Sequence, residues 1–169
     1  MADPDFSTFP LLPKGRGYED FADGQSFEHH WGRTIGQGDA TLFAATALRF
    51  TPLYFNDEYA RACGHPGMVV DPLLVLCTVV GLSVEDLSEA GGPFLGIGPV
   101  RFHEPVYPGD TLTARSRVVS RRESDKRPGF GIVTWATEGS NQHGRVVVSY
   151  QRTNLVARHG ARRGARQTT

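Results

Sequence analysis

Apolar and polar positions recur along this chain at two different intervals, and the change of interval divides it. From Ser26 to Ile35 they alternate as in a strand, and Gly36 to Asp39 break the run. Asp39 is the expected N-cap of the next helix. Leu42, Phe43, Ala47 and Phe50 then follow at helical spacing and predict one apolar face. Pro52 ends that helix, because proline has no N–H to donate. Asn56 is the expected cap of a shorter helix. Asp57 and Glu58 lie in its first turn, where the helix dipole favours negative charge, and Gly64 closes it.

The segment Met68 to Glu85 carries the strongest signal. Asp71 precedes Pro72, and proline suits the first position of a helix. Leu73, Leu74, Val75, Leu76, Cys77, Val79, Val80 and Leu82 follow with almost no polar break. A helix apolar on every side has to be enclosed by protein. Val84 to Glu89 predict one further turn. After Gly91–Gly92 the period becomes two, with strand-like runs over Leu95–Glu104, Thr111–Glu123, Gly129–Glu138 and Arg145–Val156. In the second run Leu112, Ala114, Ser116 and Val118 share one face, and Arg115 and Arg117 the other. Pro108-Gly109-Asp110 and Asn141-Gln142-His143-Gly144 are turn chemistry.

The fold class implied is α+β: one curved antiparallel sheet wrapped around a central buried helix. A single copy would keep open strand edges and a half-covered helix. A homodimer or higher homo-oligomer is therefore expected. The expected organisation is a flexible arm over 1–17, one domain over 18–157 and a disordered basic tail over 158–169.

Composition narrows the function classes. The chain has 169 residues, enough for one core, and 18 Lys+Arg balance 18 Asp+Glu, so no overall field favours nucleic acid. The Arg-rich tail is short enough to be read as solvated. Cys63 and Cys77 form neither a disulfide framework nor a metal-ligand spacing. No signal peptide or membrane-length apolar run is visible, so a cytoplasmic protein without membrane partner is expected.

Several segments resemble known proteins. Tyr18-Glu19-Asp20-Phe21 with Gly24-Gln25, then Gly32-Arg33-Thr34-Ile35, resembles the opening of MaoC-like dehydratases. Phe50-Thr51-Pro52-Leu53-Tyr54 with Asp57-Glu58-Tyr59-Ala60 resembles that family's Asp-Phe-Asn-Pro-Leu-His segment and following helix. Val100-Arg101-Phe102 with Pro105-Val106-Tyr107-Pro108-Gly109-Asp110-Thr111-Leu112 resembles its sheet motif. Gly81-Leu82-Ser83-Val84-Glu85-Asp86-Leu87 and Arg127-Pro128-Gly129-Phe130-Gly131 are most similar to the mesaconyl-CoA hydratase branch. The resemblance covers about residues 17–156 and implies a single hot-dog domain. It implies reversible addition of water to an enoyl thioester of coenzyme A or a carrier protein. No cofactor is expected, and no metal either, because no histidine has metal-ligand spacing with a partner. In that family an Asp and a His handle the water, and a backbone N–H at the start of the buried helix polarises the carbonyl. Here Arg49 stands at the position of that Asp, and Tyr54 at that of the His. Asp71-Pro72 replaces the His-Gly pair at the helix start, and Pro72 has no N–H to offer an oxyanion.

The candidate catalytic residues are therefore Asp71, Tyr54 and His65. Asp71 is a helix cap, alone or with chemistry added. Tyr54 either hydrogen-bonds a thioester carbonyl or fills the space of the missing imidazole. His65, in the loop before the buried helix, is an acid/base candidate or a surface histidine. Candidate substrate contacts are Arg49, as an anchor or as a fork with Asp71, together with Asn56, Gly96 and Gly98. His29 and His30 point to opposite faces, as do His103 and Glu104, so neither pair is a dyad. The leading expectation is a hydratase/dehydratase with altered groups. The alternatives are a hot-dog thioesterase or cyclase, and an inactive partner subunit.

Overall fold

Three long strands carry the fold and coincide with the alternating runs. In the computed structural model, which describes residues 14–164, these are β5 (Thr111–Glu123), β6 (Phe130–Ser140) and β7 (Val146–Ala157). They form an antiparallel sheet ordered β1-β5-β6-β7-β3, with β1 at Ser26–Glu28 and β3 at Phe94–Ile97. Short strands β2 (Arg33–Thr34) and β4 (Arg101–Phe102) pair with β5 and β7. Leu112, Ala114, Ser116 and Val118 of β5 are buried and its arginines are exposed, as alternation requires.

Helix α3 (Pro72–Leu82) lies on the inner face of this sheet. Val75 and Val79 pack among Leu112, Ala114, Val147, Val148 and Tyr150. Gly139 of β6 makes room for the helix: a Cβ there would come within 2.5 Å of Val79 Cγ2. Only Val75, Thr78 and Val79 of α3 are buried, whereas Leu73 is 44% exposed. The single chain thus covers one flank of the helix, the half-covered state expected of one copy. A second core holds Tyr18, Phe21, Phe27, Leu87, Val118, Val133, Trp135 and Val156. Phe21 sits edge-on to both Phe27 and Trp135.

Several local expectations change. The 26–35 strand is two pieces, β1 and β2, which pair with separate stretches of β5. The 95–104 run divides into β3 and β4 around Gly98, whose φ is +150°. Helix α1 (Gln37–Thr46) is capped at Gly36, and Asp39, three residues in, accepts the Gly36 N–H at 3.0 Å. Its buried residues are Ala40 and Ala44 rather than the predicted apolar set; Leu42 is 69% and Phe50 90% exposed. Beyond the helix, Leu48 with a φ of +49° turns the chain, so that residues 47–50 leave the helical register.

Polar contacts join residues 17–20 and 158–159 to the rest of the domain. Arg158 bonds Glu19 and Glu123, each at 2.8 Å, and helix α5 (His159–Gly164) follows. This helix lies within the range expected as a tail. In the expected arm, Gly17 is buried and its N–H reaches Asp20 Oδ2 at 2.7 Å. Residues 1–13 and 165–169 lie outside the described residues.

Candidate functional site at the start of helix α3

Asp71 is fixed by sequence before any tertiary contact forms. Its place before Pro72 makes it the cap of α3, and Oδ1 accepts the Leu73 N–H at 2.8 Å. The other oxygen, Oδ2, lies 2.5 Å from Arg49 Nε. Asp71 is only 2% exposed, so its charge is balanced by a group that itself remains one-third exposed. The Arg49 guanidinium also stacks over the Tyr54 ring, 5.6 Å from its centroid. The turn in the chain at Leu48 and the one-turn 3-10 helix Pro52–Tyr54 bring both side chains to α3. The bond from Val69 N–H to Leu53 C=O, at 3.0 Å, ties that turn to the strand of chain leading into Asp71.

Arg49, Tyr54 and Asp71 therefore form one cluster. Neither terminal nitrogen of Arg49, nor the Tyr54 hydroxyl, makes a hydrogen bond among the described residues. Leu48, Phe50 and Phe55, their neighbours along the chain, are all exposed. Asn56 sits beside them as the cap of α2 (Asp57–Ala62), its Oδ1 accepting the Tyr59 N–H at 3.0 Å.

His65 belongs to a second pair. Its Nδ1 is 2.9 Å from the Tyr107 hydroxyl, a partner 42 residues away that no local pattern announced. Burial raises the Tyr107 phenol above its ordinary value, and the nearby Asp110 charge adds to the effect. Tyr107 opens onto a cleft of about 290 Å³ lined also by Gln37, Asp57, Gly67 and Met68. Gly96 and Gly98 stand on the sheet edge, where Gly96 pairs with Thr153 and the Gly98 N–H reaches Gln151 C=O. A Cβ at either would meet nothing within 4 Å, so space is open above both. No contact joins them to the Asp71 cluster.

The largest polar feature passed over by the sequence reading is buried. His29 Nδ1 lies 2.7 Å from Asp86 Oδ2 and its Nε2 lies 2.8 Å from Ser116 Oγ, which bonds Thr137 Oγ1 at 2.8 Å. The order carboxylate, imidazole, hydroxyl resembles a hydrolytic triad. Ser116 is 3% exposed and the His29 side chain 1%, so no external substrate reaches that hydroxyl. The chain instead joins β1, β5 and α4 (Val84–Leu87). Its signal was present in the alternation, because His29 shares a face with buried Phe27 two residues earlier.

Among the described residues no three His, Cys, Asp or Glu side chains gather as a metal site, and no helix is long and apolar enough to cross a membrane.

Comparison with known proteins bears on this geometry. The family model for mesaconyl-CoA hydratase matches residues 10–168. A mesaconyl-CoA hydratase of Haloarcula hispanica is 40% identical over 146 residues, which cover 86% of this chain and 41% of that protein. The crystal structure of a MaoC domain protein from Chloroflexus aurantiacus, assigned as a dehydratase, superposes with a TM-score of 0.82 at 32% identity. That match covers 89% of this chain and 43% of the other. A Mycobacterium tuberculosis protein described as a double hot-dog fold gives a TM-score of 0.77 at 26% identity, covering 85% and 44%. The chain thus spans less than half the length of these relatives.

Proposed function

The chain belongs to the mesaconyl-CoA hydratase family, a group of hot-dog proteins, and from that premise we propose that it takes part in the reversible hydration of an enoyl thioester. The substrate would be an acyl-coenzyme A or acyl-carrier-protein thioester, and the reaction that of a hydro-lyase. The observation that carries this reading is the 40% identity to a hydratase across nearly the whole domain.

The half-length match supports a second element of the proposal. One complete hot-dog unit occupies this chain, while the similar solved structure with two such units is covered to only 44%. We assign the exposed flank of α3, with Leu73, and the edge strand β3, with Phe94 and Leu95, to contact with a second copy. The acyl arm would lie along that seam.

Both oxygens of Asp71 are engaged, one by the Leu73 N–H and one by Arg49. This favours a positioning role over that of a general base. The free hydroxyl of Tyr54 and the free edge of Arg49 suit a thioester carbonyl or another acyl oxygen. His65, its ring oriented by Tyr107, suits proton transfer near neutral pH. The engaged Asp71 also favours a second reading, in which this chain supplies only the groove and a sister hot-dog chain supplies the acid and base.

Incubation of the full chain with a panel of enoyl-CoA thioesters tests the proposal. Loss of the conjugated enoyl absorbance is the expected result. Silence of the chain alone, with turnover restored by a co-expressed hot-dog sister, would select the second reading.

A further inference from the structure

The cleft beside Tyr107 has a lining of one chemical character. Pro66, Met68 and Pro108 give it apolar walls, and Gln37 and Tyr107 add neutral polar groups. The one charged group in its lining is Asp57, whose Oδ1 already accepts the Met68 N–H at 2.7 Å. No Lys or Arg lines it, so a phosphate or carboxylate would meet a like charge and no cation. Burial, with the Asp110 charge adding, keeps the Tyr107 phenol protonated and neutral. The cleft holds about 290 Å³, close to the lower end of small-molecule sites at about 300 Å³. What suits it is a slender neutral chain in which methylene and amide groups alternate.

Position adds to this. The run of chain that forms one wall, 66–68, continues directly into the start of α3. Val69 N–H bonds Leu53 C=O at 3.0 Å, next to Tyr54, and Val70 N–H bonds Val106 C=O at 2.8 Å, next to Tyr107. Asp71 follows, at most about 11 Å of chain beyond Met68. On the other wall the Tyr107 hydroxyl lies 2.9 Å from His65 Nδ1. The walls of the cleft thus connect to both sets of candidate reacting groups. A second cleft, beside the Arg115–Glu138 ion pair, is lined by none of these residues.

We propose that the cleft beside Tyr107 holds the pantetheine arm of the thioester substrate, the part that coenzyme A and carrier proteins share, with Gln37 and Tyr107 hydrogen-bonded to its amides. The inference rests on the enoyl-thioester reading and adds where the carrier end of the substrate lies. Titration of the 15N-labelled full chain with S-propionyl-pantetheine, a saturated thioester, tests it without turnover. The backbone amide signals of Gln37, Gly67, Met68 and Tyr107 should move and saturate. S-propionyl-CoA and an S-propionyl carrier protein should move the same signals, and the one that saturates at lower concentration names the carrier. Gln37 is exposed at the first position of α1, where substitution spares the core. Q37A should weaken the binding of S-propionyl-pantetheine about 3- to 10-fold, the worth of one hydrogen bond. Q37W, which fills the mouth of the cleft, should abolish the shifts at Gly67 and Met68. Shifts confined to other residues, or wild-type binding by Q37W, would overturn the proposal. Hydration without shifts in the cleft would remove this site and keep the reaction; shifts without hydration would do the reverse. Should Q37W not fold, Q37A and the wild-type shift map decide alone.

Discussion

Arg49 and Asp71 meet at 2.5 Å through Nε and Oδ2, and the other oxygen of the same carboxylate holds the first turn of α3. One buried group thus joins the chain turn at Leu48 to the central helix. It also orients the guanidinium whose outer edge is left free.

Substitution should separate these two duties. Asp71→Asn keeps a side-chain oxygen for the cap and loses the ion pair, at a cost of about 1–2 kcal/mol for a partly exposed partner. Asp71→Ala loses both and should cost about 1 kcal/mol more, the usual worth of an N-cap. Urea unfolding of the two variants beside wild type measures the difference. Equal losses would mean that the cap contributes nothing.

The buried His29 chain should behave as structure. Ser116→Ala leaves His29 Nε2 and Thr137 Oγ1 without their shared partner, and about 1–3 kcal/mol of stability should disappear. Substrate turnover per folded molecule should not change. A loss of turnover at full stability would instead assign the chain to catalysis.

Packing beneath α3 yields a paired prediction. Gly139→Ala drives a methyl group toward Val79 Cγ2 and should destabilise by about 1–3 kcal/mol through overpacking. Val79→Ala removes the obstructing atoms, so the double variant should be more stable than the sum of the two single losses implies. A double-mutant cycle by denaturant unfolding reads this coupling directly.

Acid should release the C-terminal segment. Burial alone would raise Glu19, but hydrogen bonds from Arg158, its own backbone and the His159 N–H outweigh it and hold the carboxyl below its ordinary 4.5. A depressed carboxyl stabilises above its unfolded pKa, and that contribution is lost as pH falls through the lower folded value. Hydrogen-exchange protection of residues 158–164, relative to the intrinsic rate at each pH, should therefore hold at pH 7 and fall only below pH 4.5. Arg158→Met should produce fast exchange already at pH 7.

What could be read from sequence follows from how local each signal was. β5 runs over Thr111–Glu123 as expected, because one of its faces is buried and the other wet, and alternation records that difference. The start of α3 was legible because Asp71-Pro72 is a cap and first-turn pair within two residues. The end of α1 was not, since the positive-φ turn at Leu48 takes Phe50 out of the helix and leaves no periodic signal. A pairing of Arg49 with Asp71 was foreseeable from chemistry, but it is made through Nε alone and not as the expected fork. The His65–Tyr107 pair and the clasp of Arg158 on Glu19 join residues 42 and 139 positions apart, beyond the reach of any periodicity.

Steady-state hydration kinetics of wild type, Tyr54→Phe and His65→Gln address the proposed chemistry most directly. The account predicts measurable hydration by wild type and kcat/KM lowered about 100- to 10,000-fold in His65→Gln, as for loss of a proton-transfer group. Tyr54→Phe should lower it as well, with folding intact in both. Hydration undiminished in both variants would contradict the assignment of Tyr54 and His65 to the reaction.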